Sequence, residues 1–195
     1  MKNIIGLTGP TGSGKSSFSL LAQQNGICVI DCDKLSRFVT QNGSECLLRL
    51  SEAFGKDIIK DGALDRRLLA LRAFKNEETK ALLEEITFHF ILTEVFAQIE
   101  KSDKECVLLD APTLFESGLD ELCSCVIAVL SDSEIRKQRI IERDNLSREQ
   151  AETRMAAGKN DDFYISRADY VIYNNSSVAE FLKQAQGIIN TLVEE

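Results

Sequence analysis

The sequence predicts a three-layer α/β fold built on a five-stranded parallel sheet, with a helical insertion and an arginine-rich lid. Three observations carry that expectation. Short apolar runs bounded by glycine, proline or aspartate alternate with helical periods; the opening stretch to Asp33 already holds a strand, a helix and a second strand; and residues 34–104 show helical spacing only.

The elements follow in order. Residues 3–8, Asn-Ile-Ile-Gly-Leu-Thr, form an apolar run leading into glycine, as expected of a strand buried on both faces. After Gly9-Pro-Thr-Gly-Ser-Gly14, residues 15–25 read as a helix closing at Gly26, and residues 27–30 as the second strand. So compact a βαβ unit implies parallel pairing and a right-handed crossover. The longest helical stretch, 77–100, places Leu92, Val95, Phe96 and Ile99 three and four residues apart, with Asn76 positioned to cap its start. Residues 106–110, 125–130 and 170–173 then supply three more buried strands. An arginine-rich helix near 132–144 is followed by a helix opened by the capping-box pattern Ser147-x-x-Gln150, and Ser177-x-x-Glu180 opens the last helix in the same way. The expected division is a core of residues 1–33 and 105–195, with the lid at about 132–165, and an inserted helical domain at 34–104.

Gly9-x-x-x-x-Gly14-Lys15-Ser16 satisfies the phosphate-loop pattern, and it sits where the mechanism needs it, after the first strand and opening the first helix. Its glycines let the backbone wrap an oxyanion, so amides from Gly9, Gly12, Ser13, Gly14 and the first helical turn, including Ser17, can point at phosphates. Lys15 is placed to reach the β- and γ-oxygens, and the Ser16 hydroxyl to ligate a bridging Mg2+. The expected class is therefore a P-loop NTPase, nucleotide-kinase-like fold holding a triphosphate. Asp31 and Asp33 end the second strand, at the sheet edge where ligands bind, and as extended residues two apart they would project to one side. One can cap the next helix, which leaves the other to accept a proton from an attacking hydroxyl. Asp110, ending the third long strand, is a candidate for the Mg2+ shell. Arg136, Arg139 and Arg143 share one helical face, either as a solvated salt-bridged surface or as a lid closing on the transferring phosphoryl group.

Composition excludes several classes. The 195 residues carry 23 Lys+Arg against 31 Asp+Glu, a net charge of −8, so the surface as a whole repels polyanions and no nucleic-acid partner is expected. No apolar run reaches the roughly 18–20 residues of a membrane span, so the expectation is a cytoplasmic chain with no membrane partner. Six cysteines without a Cys-x-x-Cys pair read as reduced core thiols. With His89 the sole histidine, chemistry that requires several imidazoles is excluded, and its place between Phe88 and Phe90 reads as a core position.

Beyond the loop, Asp31-Cys-Asp33-Lys-Leu-Ser-Arg37, Asp110-Ala-Pro112-Thr-Leu-Phe115-Glu116, Arg139 to Arg143-Asp144, and Ala168-Asp169-Tyr-Val-Ile with Asn174 and Asn175 resemble the dephospho-coenzyme A kinase family over nearly the whole chain. The resemblance implies phosphorylation of the ribose 3′-hydroxyl of dephospho-coenzyme A by ATP, with Mg2+, in a monomer or small homo-oligomer. It implies Asp33 as the base, Arg37 and His89 as acceptor-side contacts, and Arg139 and Arg143 as nucleotide-side arginines, with Asp33, Lys15 and Arg139 carrying catalysis. The inserted domain would bind the acceptor. Thr113, Gly158 and Tyr164 depart from the family pattern, in acceptor-side and lid regions. Read from the residues alone, a nucleoside or nucleoside-monophosphate kinase remains open; a GTP-dependent switch lacks the base-reading Asn-Lys-x-Asp pattern.

Overall fold

The computed structural model describes residues 2–194. The chain forms β1 (Asn3–Thr8), α1 (Lys15–Gln24), β2 (Cys28–Asp31), α2 (Cys32–Val39), α3 (Glu45–Phe54), β3 (Ile59–Lys60), β4 (Ala63–Leu64), α4 (Arg66–Ala73) and α5 (Glu77–Lys101). It continues through β5 (Cys106–Asp110), β6 (Cys125–Leu130), α6 (Ser133–Asp144), α7 (Arg148–Ala156), α8 (Asp161–Ile165), β7 (Tyr170–Tyr173) and α9 (Val178–Glu194).

The five long strands form one sheet in the order β2-β5-β1-β6-β7. β1 lies at its centre, paired in parallel with β5 and with β6, and Leu7 stands in register with both Asp110 and Ile127. The chain thus turns one way after β1 and the other way after β5, which places the phosphate loop at the switch point of the sheet. Strand alternation divides the side chains between two faces. Ile5, Leu7, Ile127 and Val129 meet Phe18 and Ala22 of α1 and Phe181, Ala185 and Ile189 of α9. Ala128 and Leu130 point the other way and pack on Tyr164 of α8. Full burial of a side chain such as Phe18 is worth about 2–3 kcal/mol, so the helix that opens on the loop is held down by its own apolar face.

Two compact units result, one comprising the residues up to Ile30 and those from Asp103 on, the other Asp31–Ser102. The second has its own core, in which Cys46, Leu50 and Phe54 of α3 meet Ile58, Leu69 and Ala73, with Leu83, Ile86, Phe90 and Ile91 of α5 packed against them. Asn76 caps α5 by accepting from the Thr79 amide at 2.8 Å. This unit is not purely helical, contrary to the sequence expectation. β3 and β4 pair as an antiparallel hairpin through Asp61 and Gly62, both at positive φ (50° and 78°), the geometry of a tight two-residue turn that Asp-Gly favours.

All six cysteines are free thiols. Burial pushes the Cys46 thiol up to about 11 and the Cys123 thiol to about 12, so both stay protonated at neutral pH. Among the described residues no helix is long and apolar enough to cross a membrane.

Candidate active site

The turn from β1 into α1 is shaped by what surrounds it. Gly9 has φ +136°, and a Cβ there would stand 2.1 Å from the Val129 carbonyl oxygen at the end of β6. Gly14, the N-cap of α1, is left-handed (φ 106°, ψ 17°) and provides no side chain to satisfy the first amides of the helix. The amides of Ser17 and Phe18 donate to the Gly14 carbonyl at 3.0 and 3.5 Å, and the positive end of α1, with no side chain capping it, favours an anion. Lys15 follows immediately, its ammonium donating to the Gly9 carbonyl at 2.6 Å and the Pro10 carbonyl at 3.5 Å. Ser16 and Ser17 are exposed in the first turn, whereas Ser13 is fully buried and its hydroxyl has no hydrogen-bond partner. The Ser13 amide donates to the Pro10 carbonyl at 3.3 Å, so the turn closes on itself at this residue.

Asp110 ends β5 on the same sheet edge and accepts the Ser19 hydroxyl at 2.6 Å. Ser19 stands one helical turn after Ser16, so the Asp110 carboxylate lies along the side of α1 that carries the Ser16 hydroxyl. Lys15, Ser16 and Ser17 thus form the first turn of α1, and Asp110 is tied to Ser19 one turn further along the same helix.

Arg139 belongs to this group, but not as an open lid. Its guanidinium donates to the carbonyls of Gly12 and Ser13 and to the Ser131 hydroxyl, each at 3.3 Å, and to the backbone and side-chain oxygens of Asn174 at 3.1 and 3.2 Å. The helical spacing placed Arg139 and Arg143 on one face but could not say that Arg139 is engaged with the loop backbone. Arg143, one turn on, is bound instead in a fork to Asp144 at 2.9 and 2.8 Å, and Arg154 of α7 reaches the same carboxylate at 2.7 Å. Hydrogen bonding from Arg143 holds the Asp144 carboxyl below its ordinary value. The Arg143 and Arg154 side chains both remain half exposed.

The segment expected to form the lid ends in α8, which packs on the sheet. Tyr164 is buried against Ala128 and Leu130, its phenol pushed up to about 12 by burial and by the charge of Glu116. Phe163 stacks edge-on to Phe115 at 5.9 Å, with the Arg167 guanidinium 4.3 Å above its ring. α8 is therefore anchored to the sheet.

In the other unit, Asp31 and Asp33 do not project together from an extended strand. Asp31 caps α2, accepting from the Lys34 amide at 2.9 Å, and Asp33 already lies in the first helical turn. Burial would raise the Asp31 carboxyl, but hydrogen bonds from the Lys34 amide and ammonium prevail and hold it below its ordinary value. Asp33 and Arg37 are four residues apart on one exposed face of α2, neither with a side-chain hydrogen bond or ion pair among the described residues. His89 is exposed on α5, the helix on which α2 packs, with its ring edge-on to Phe90 at 5.4 Å. The expectation of a core histidine is thus overturned: two flanking phenylalanines leave a helical residue on a different face from its neighbours.

Asn174 belongs to the family resemblance, yet the sequence assigned it no role at the site. It follows the last apolar run and ends at the same sheet edge as Asp110, which was the available signal.

The dephospho-CoA kinase family model matches residues 3–180. A dephospho-CoA kinase of Corynebacterium glutamicum is 38% identical over 189 residues, 95% of this chain and 94% of that protein. Among solved structures, TT1252 from Thermus thermophilus superposes with a TM-score of 0.87 at 28% identity, covering 97% of each chain. The dephospho-CoA kinase from Campylobacter jejuni gives 0.70 at 29% identity, over 97% of this chain and 96% of its own.

Proposed function

The chain belongs to the dephospho-CoA kinase family, and from that premise we propose that it transfers the γ-phosphoryl group of ATP to the ribose 3′-hydroxyl of dephospho-CoA, giving coenzyme A and ADP. The observation that carries this reading is the uncapped α1 terminus with Lys15 and Ser16 beside it. The Gly14 and first-turn amides bind the phosphates, and the Lys15 ammonium, with three donors, can keep its grip on Gly9 while reaching a β- or γ-oxygen. Asp33 accepts the proton of the 3′-hydroxyl as its oxygen bonds to the γ-phosphorus; the bond to the β,γ-bridging oxygen breaks, and ADP leaves with that electron pair. Arg37, on the same face as Asp33, and His89 serve the acceptor. Arg143 supplies a cation to the nucleotide.

Magnesium fits the donors present. The Ser16 hydroxyl and Asp110 carboxylate are hard oxygen ligands, brought to one side of α1 through the Ser19 bond. Bound with ATP, the ion would offset charge on the β- and γ-oxygens. The reading also takes the protein to act in the cytoplasm, as a monomer or small homo-oligomer.

The test is ADP release with a panel of acceptors: dephospho-CoA, adenosine, AMP and shikimate. The expected outcome is turnover with dephospho-CoA and a product heavier by one phosphoryl group at the ribose. Release no faster than with ATP alone would remove the reading, and faster turnover with AMP or adenosine would move it to another kinase class.

A further inference from the structure

We propose that Asn174 is a positioning residue that sets the phosphate-binding amide of Gly14 from behind the loop. The inference rests on the kinase reading and extends it to a side chain from the far end of the chain. Asn174 directly follows β7 and is 6% exposed. Its side-chain amide donates to the Ser13 carbonyl at 2.9 Å, which also accepts from Arg139 at 3.3 Å. A trans peptide points its carbonyl and the following N–H in opposite directions. Holding the Ser13 oxygen toward β7 therefore turns the Gly14 N–H away from β7, toward the open end of α1.

The grip is fixed from every side. The Asn174 backbone amide donates to the Leu130 carbonyl at 2.8 Å, and its own carbonyl accepts from the Ser131 hydroxyl at 2.8 Å and from Arg139 at 3.1 Å. The side-chain oxygen takes another Arg139 donor at 3.2 Å, so the side-chain nitrogen must face Ser13. The approach is close enough to dictate sequence: a Cβ on residue 14 would stand 2.1 Å from the Asn174 nitrogen. The third motif glycine is thus required by Asn174 as well as by its left-handed backbone.

Asn174→Asp tests this directly. It keeps the volume and still accepts from Arg139, but sets a carboxylate oxygen against the Ser13 carbonyl. Titration calorimetry with Mg-ATP should show at least a tenfold weaker Kd, and the KM for ATP should rise while the KM for dephospho-CoA stays within twofold. The Gly14 amide resonance should shift in the nucleotide-free protein, a change that loss of global stability alone would not give. Asn174→Ala, which adds no charge, is read by the same criteria should the aspartate variant fail to fold. A folded variant that binds ATP within twofold of the parent overturns the inference. If the parent itself bound no ATP, the kinase reading would fail and this inference with it; a parent that binds beside unaffected variants defeats the inference alone.

Discussion

Lys15 and Asp33 act on different partners, and kinetics can separate them. Lys15→Ala removes the ammonium beside the phosphates, so ATP binding should weaken and turnover fall by about 100-fold or more, in the range for loss of one charge-stabilising donor. Asp33→Asn keeps shape and touches only the acceptor proton, so kcat should drop by roughly 100-fold or more with the KM for ATP changed less than threefold. A kcat within twofold of the parent would remove Asp33 as base. The sequence showed both residues because each sits in a contiguous pattern. It misjudged the setting of Asp33, since Asp31 captures the Lys34 amide and turns the chain into α2 one residue sooner than strand alternation would allow. It also left Arg139 ambiguous, because spacing on a helix gives a face but not the neighbour that the face meets.

The long strands were legible because strands buried on both faces must be apolar throughout, and β1, β5, β6 and β7 begin and end where the apolar runs do. The β3–β4 hairpin was missed because two-residue strands leave no periodicity, although Asp61-Gly62 announced the turn. The contact between α6 and α7 was equally invisible, being made by side chains that read as a solvated charge run. Lys137 bridges Glu134 at 2.7 Å and Glu152 at 2.9 Å, and Arg148 joins the same carboxylates at 3.6 and 3.2 Å. Hydrogen bonds from Lys137 hold both glutamates below their ordinary 4.5. Because the folded values lie below the unfolded one, this tie contributes fully above 4.5 and is lost as pH falls through the lowered values. Hydrogen exchange in α7, corrected for intrinsic rates, should therefore lose protection as the pH falls below 4.5, before β1 does. Equal retention in α7 and β1 would contradict it.

Each of the two units has its own core, so ligand energy need not spread evenly between them. A ligand that binds only the folded state stabilises it by mass action, about 2.7 kcal/mol at 100 times its Kd. Mg-ATP should accordingly slow exchange in β1, α1 and β7, whose side chains share one core. Around Leu50 and Ile58, in the core of the other unit, ATP alone should leave exchange nearly unchanged. Protection rising equally in both cores would show that the units open as one. The bond from Asn174 to Ser13 spans 161 positions. For protein engineering, this means that the eight-letter signature near the amino terminus is not a portable part. Grafted onto another strand-turn-helix, it would bring its glycines and lysine but nothing to brace the turn, so a transplant needs the distant asparagine and the strand that presents it.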